Sequence, residues 1–162
     1  MAYINPAPGT GNQVTLTLDK ADSESDITQS SGLSIPALQD MTINAANDVF
    51  TWSQLDSTAK KQVATTSTNS IAMNIVVDQA TFFGTTLNST ISDTMAAQGL
   101  FGCSRNKTLI NFIIRVENST SDTFIKGTGY ITGLAPTVTA DAPVWVSPIT
   151  ITVTGEYTVA AT

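Results

Sequence analysis

Histidine is absent from this chain of 162 residues. That absence removes Ser-His-Asp and Cys-His nucleophilic catalysis, imidazole metal sites and the commonest general base together. Cysteine occurs once, at Cys103, so no internal disulfide can form and no thiol pair can hold zinc. Charge is scarce too: Asp, Glu, Lys and Arg make up 12% of the residues, against roughly 25% in soluble globular chains. A surface so poor in charge invites association, so something is expected to cover much of it. No apolar run approaches the about 18 residues needed to span a bilayer, and Leu109 to Ile114, the longest, is broken by Asn111. A membrane is therefore not expected as a partner. Met1 to Pro6 has neither a basic start nor an apolar stretch, which predicts synthesis in the cytoplasm without a secretory signal.

Short motifs fail in their context. Ser57 with Lys60 and Ser104 with Lys107 have the Ser-x-x-Lys spacing, but the further signatures of serine-lysine acyl enzymes are missing. Asp22, Glu24 and Asp26 alternate like the start of a calcium loop, yet Ile27 stands where its turn glycine belongs and Leu33 where its bidentate glutamate belongs. Gly9 and Gly11 lack the third glycine, lysine and helix of a phosphate cradle. The Asn-x-Ser/Thr triplets at Asn88, Asn106 and Asn118 read as chance in a Ser/Thr-rich chain. No catalytic residue, metal site or cofactor is expected. Seven basic residues, scattered, and a net charge of −6 argue against tight nucleic-acid binding, which rests on Lys and Arg neutralising phosphates.

What the sequence does contain is alternation. Val14, Leu16 and Leu18 alternate with threonines, and Ile71, Met73, Ile75 and Val77 alternate with Ala72, Asn74, Val76 and Asp78. Ile149, Ile151, Val153, Tyr157 and Val159 oppose Thr150, Thr152, Thr154, Glu156 and Thr158, a half-buried antiparallel strand. Residues 109–117 are apolar on both faces for part of their length and lead through a turn at 118–122 into residues 123–134, a long hairpin. Gly127, Gly129 and Gly133 in its second arm predict bulges or close backbone approach, and Pro148 predicts a strand start or an edge. One helix is expected, opened by Thr90 with Asp93 and closed at Gly99 or Gly102.

The expected fold is mainly β: an antiparallel β-sandwich or partly open barrel with one flanking α-helix, a single domain over 1–162. A flexible N-terminal arm occupies 1–13. Residues 33–69 form a long loop excursion with short strands, carrying Trp52, Gln54, Leu55, Lys60 and Lys61. Excursions of that length are usually functional or ordered by a partner.

That order of elements, with TLINFIIRVEN and TFIKGTGYITGLAPTVTADAPVWVSPITITVTGEYT in the C-terminal half and FTWSQLDSTAKKQVATT followed by SIAMNIVVD before it, resembles the bacteriophage tail tube protein family, related to type VI secretion tubes. The resemblance implies a homo-oligomeric structural protein of the virion. It implies hexameric rings stacked into a hollow tube, joined to other phage tail proteins, through which DNA passes without specific binding. The excursion, with Trp52, Gln54, Leu55, Lys60 and Lys61, would then contact an adjacent subunit or ring. The mixed strand faces bearing Asn74, Asp78, Asn111, Arg115 and Glu117 are candidates to line the lumen. Composition equally permits a virion decoration or adhesin-like binding sandwich, which would stay monomeric or trimeric. An enzyme built on paired carboxylates is disfavoured, because the acids lie singly or in turns.

Overall fold

The computed structural model describes residues 14–35, 38–56, 58–118 and 120–161; the N-terminal arm expected over 1–13 lies outside them. Eight strands and two helices follow one another as β1 (Val14–Lys20), β2 (Leu33–Ser34), β3 (Leu38–Ser53), β4 (Lys60–Val76), α1 (Gln79–Phe83), α2 (Met95–Asn106), β5 (Ile110–Val116), β6 (Thr123–Leu134), β7 (Thr137–Thr139) and β8 (Ala142–Ala161). The strands form one continuous antiparallel sheet in the order β2-β1-β5-β6-β8-β4-β3, with β7 added to β8.

Strand alternation sets the core. Leu16 and Leu18, Ile110, Phe112 and Ile114, Ile131, Ile149 and Ile151, and Ile71, Met73 and Ile75 all point to one side of the sheet and join a single buried cluster. Phe82 of α1 and Met95, Leu100 and Cys103 of α2 complete it. Because strands from both halves share this cluster, the sheet curls around it. Its two edges approach each other, and Val14 of β1 lines the same cleft of about 260 Å³ as Leu38 and Met41 of β3. The result is the partly open barrel, an open sheet that stops short of closure.

The glycines of β6 act as expected. Register shifts fall between Lys126 and Thr128 and between Ile131 and Gly133, and a Cβ at Gly127 would strike the Phe112 ring. These bulges bend the sheet where its two halves meet. Pro148 departs from expectation. It lies well inside β8, between Ile149, the last residue paired with β6, and Val146, the first paired with β7, a gap that leaves it unpaired on that side.

Two helices form where one was expected. Asp78 caps α1 by accepting hydrogen bonds from the backbone N–H (3.1 Å) and hydroxyl (3.1 Å) of Thr81. The second helix begins later than Thr90, which closes its own turn with Asp93 (2.6 Å), and Thr94 is the N-cap. It also runs past both glycines to Asn106, because Gly99 is absorbed as a kink (φ 64°, ψ −179°). Under it, Gln98 is fully buried and satisfied: it donates to Asp93 O (2.7 Å) and accepts from Asn106 Nδ2 (3.0 Å) and Thr108 Oγ1 (2.8 Å).

Candidate assembly surface

The stretch expected as a loop with short strands is a hairpin of two long strands. β3 and β4 pair from Leu38↔Ile75 to Ser53↔Lys60, whereas β4 pairs with β8 only from Ser70 to Val76. Residues 60–69 of β4 and their β3 partners therefore leave the sheet as a two-stranded arm, roughly 30 Å long at about 3.3 Å per residue. Both faces of the arm are open, with all of Lys60 to Thr68 exposed. Neither face meets a core, so no apolar alternation marks its strands, and no hairpin punctuation in the sequence announces them.

The root of the arm is fastened by side chains. Asn69 donates to Gly155 O (2.8 Å), and the Tyr157 hydroxyl donates toward Ser70 O (3.0 Å) and Asn44 O (2.9 Å). Halfway out, Thr65 and Thr66 oppose the single residue Asp48 in a bulge, and both threonine hydroxyls bond to it (3.1 and 2.9 Å). Beyond the bulge, Phe50 stacks on Trp52 (centroids 5.9 Å apart), across from Val63 and Lys61. Phe50, Val63 and Leu55 are exposed, Leu55 fully. Trp52, Gln54, Leu55, Lys60 and Lys61, singled out from the sequence, are thus gathered on the distal arm. Neither lysine joins an ion pair among the described residues.

The lumen candidates separate. Asn74, Asn111 and Arg115 share the face of the sheet that looks away from the core, as the pairings β4–β8, β8–β6 and β6–β5 require. Asn111, however, is fully buried beneath the 21–32 loop, donating to Thr28 O (3.0 Å) and accepting from Gln29 Nε2 (2.9 Å). It is part of a loop anchor and offers nothing to a channel. Asp78 is the α1 cap. Asn74 donates to both Asp40 oxygens (3.0 and 2.9 Å). Arg115 is neutralised by Glu117 (3.0 Å) and also by Asp122 (2.7 Å). Between these lies a strip of uncharged polar groups in which Thr132 and Thr152 share a hydrogen bond (2.9 Å).

At the other end of the strands, exposed apolar side chains recur. Phe83 and Phe101 stand out from the helices, Leu87 and Ile91 from the loop between them, and Val138, Val144 and Trp145 from the β7–β8 hairpin. The acidic loop holds itself by backbone contacts, Asp26 accepting from the N–H groups of Asp22 (3.1 Å) and Thr28 (3.2 Å). Among the described residues, no three Cys, Asp or Glu side chains converge as a metal site would require.

This curled antiparallel sheet, with helices at one end and a projecting arm at the other, is the fold of tail tube subunits. The SPP1 tail tube superposes with a TM-score of 0.66 at 12% identity, covering 94% of this chain and 78% of that one. The tail of the GTA particle, refined with C6 symmetry, gives 0.61 at 11% identity and covers 90% and 95% of the two chains. A chain of the PVC sheath/tube terminator of an extracellular contractile injection system gives 0.60 at 12%, covering 96% and 97%. No family model matches the sequence, and no curated protein is detectably similar to it.

Proposed function

We propose that this chain is the repeating subunit of a phage-type tail tube, a structural protein of the virion rather than an enzyme. Copies associate into rings, hexameric by analogy with the C6 tail of the GTA particle, and rings stack into a conduit through which DNA passes. The arm carries the reading. A two-stranded ribbon alone in water is marginal at best, and this one exposes Phe50, Val63 and Leu55, so it gains its stability and its purpose from a neighbour. The long unpaired edge of β3 adds a second reason, because edges left open invite pairing.

No helix among the described residues is long and apolar enough to cross a membrane, and the tube reading needs none. Other tail proteins would cap the tube at its ends. The experiment is negative-stain microscopy with sizing across a concentration series. Rings or hollow tubes are expected; a monomer at every concentration and salt level overturns the proposal.

A further inference from the structure

We infer that the cleft between α1 and α2, lined by Phe83, Leu87, Phe101 and Arg105, seats the arm tip of a second copy of this chain, joining copies head to tail along the strand axis. The inference rests on the tube reading and names the surface that receives the arm.

Strand direction places the two halves of the contact. β4 runs from Lys60 at the arm tip to Val76, and α1 starts three residues later at Gln79. α2 ends at Asn106, and β5 leaves it at Ile110, antiparallel to β1 and β6. Both helices therefore sit at the end of the sheet opposite the arm tip. One chain carries the projection and the cleft at opposite poles, so copies stacked in the same direction make a heterologous contact that repeats from one copy to the next.

The chemistries match. The cleft encloses about 250 Å³. Buried Phe82 holds two of its lining rings, packing edge-on against Phe83 (5.0 Å) and tilted against Phe101 (6.3 Å), with Phe83 and Phe101 5.8 Å apart. Leu87 and Phe101 are left facing outward. At the rim Arg105 donates to Ser89 O (2.7 Å) and has no carboxylate partner among the described residues. The arm tip offers the complement, fully exposed Leu55 followed by the carboxylate of Asp56. An apolar knob beside an acid thus meets an apolar hollow beside a guanidinium.

The test is a disulfide between copies. Cys103 is buried, which pushes its thiol up to about 12, so it stays silent while Leu55→Cys and Leu87→Cys are introduced together. Mild oxidation of assembled protein is expected to give a ladder of covalent multimers, whereas either variant alone gives dimers at most. Charge exchange supplies the second measurement: Arg105→Asp or Asp56→Arg alone should raise the concentration needed for assembly at least about tenfold, because each sets two like charges against one another. The double exchange should recover much of it. Tubes without a ladder and without rescue overturn this inference and leave the tube reading standing; a wild-type protein that never forms tubes overturns both.

Discussion

Tyr157 lies on β8 and Ser70 on β4, and the Tyr157 hydroxyl meets the Ser70 carbonyl at 3.0 Å just where those strands part company. The tyrosine ring remains against Phe112, 6.1 Å between centroids, so one residue joins the core to the root of the arm. Burial holds its phenol above the ordinary value of 10.0. The neutral form is thus favoured by folding, and its contribution is complete below that value and lost as pH rises through the higher folded value. Tyr157→Phe keeps the ring and removes the bonds, and should cost about 1 kcal/mol. Amide exchange should speed along the arm and stay unchanged at Phe112 and Ile114. Uniform loosening of the whole sheet would show that Tyr157 is merely a core residue.

Shortening the arm separates folding from assembly. Val49 pairs with Ala64, so residues 50–63 can be replaced by Asn-Gly, the two-residue turn that suits a hairpin. None of the residues removed belongs to the buried cluster. The melting temperature should fall by no more than a few degrees, since exposed residues contribute little, while tubes disappear. Long tubes from the shortened chain would mean that the arm has no part in stacking.

Gly84 and Gly99 interlock the helices. Both have positive φ, and a Cβ on either would run into the other helix's backbone, against Ala97 O from Gly84 and against Gly84 N from Gly99. Gly155 also has positive φ (81°) but open space around it. Gly155→Ala should therefore cost about 1 kcal/mol of backbone strain, and Gly99→Ala several times as much, as overpacking against backbone does. Chemical denaturation of the two variants checks the order. Equal losses would show that the helix contact yields easily.

The parts of this structure that touch the core were legible in the sequence, because burial imposes a period. Ile71, Met73 and Ile75 and the series from Ile149 announced their strands and faces, and Gly127 and Gly133 announced the bend. Residues 45–68 were illegible for the opposite reason: an arm with two open faces carries no apolar alternation to mark it as strand. Asp78 misled for a different reason. At the end of an alternating run a carboxylate looks like a surface residue of the strand, and only the three-residue spacing to Thr81 reveals a cap. Asn111 has the polarity of a wall residue, but the loop that buries it comes from residues 21–32, a contact across more than eighty residues that spacing does not encode. Arg115 with Glu117 was legible because its partner lies two residues away; Asp122 entered only when the turn closed.

That cluster sets an acid limit on the turn between β5 and β6. The Arg115 hydrogen bond, and then the Asn118 N–H, hold the Asp122 carboxyl below its ordinary value of 3.8. A depressed acid contributes above its unfolded value and loses that contribution as pH falls through the folded one, here below about 4. Proton titration by NMR should give Asp122 a midpoint below 3.8, and Arg115→Ala should raise it. Asp122→Asn should loosen the turn already at neutral pH, with little change in global stability because the pair is exposed to solvent. An Asp122 midpoint that Arg115→Ala leaves unmoved would show that the ion pair does not persist in solution.

The face turned away from the core is the remaining candidate for a channel wall, and its centre is neutral. Thr132, Thr150, Thr152, Ser70 and Asn74 follow one another across β6, β8 and β4, Arg115 is compensated by two acids, and Lys126 lies over the Phe124 ring, 5.5 Å from its centroid. A wall of hydroxyls and amides exchanges hydrogen bonds with water as readily as with phosphate, so a passing polyanion finds no fixed counter-charge to release its own ions against. Adding charge there is a clean perturbation, because Thr132 and Thr152 are exposed and outside the buried cluster. Thr132→Lys and Thr152→Lys should leave folding and tube formation intact while lining the bore of the proposed tube with lysines. Tubes of either variant should then retain short duplex DNA at low salt and release it as salt rises, with wild-type tubes retaining none. Thr58→Lys on the arm tip serves as the control for charge placed elsewhere. If the strand variants bind no more DNA than the arm variant, this face does not line the channel, and the wall must be sought on the other exposed surfaces of the subunit.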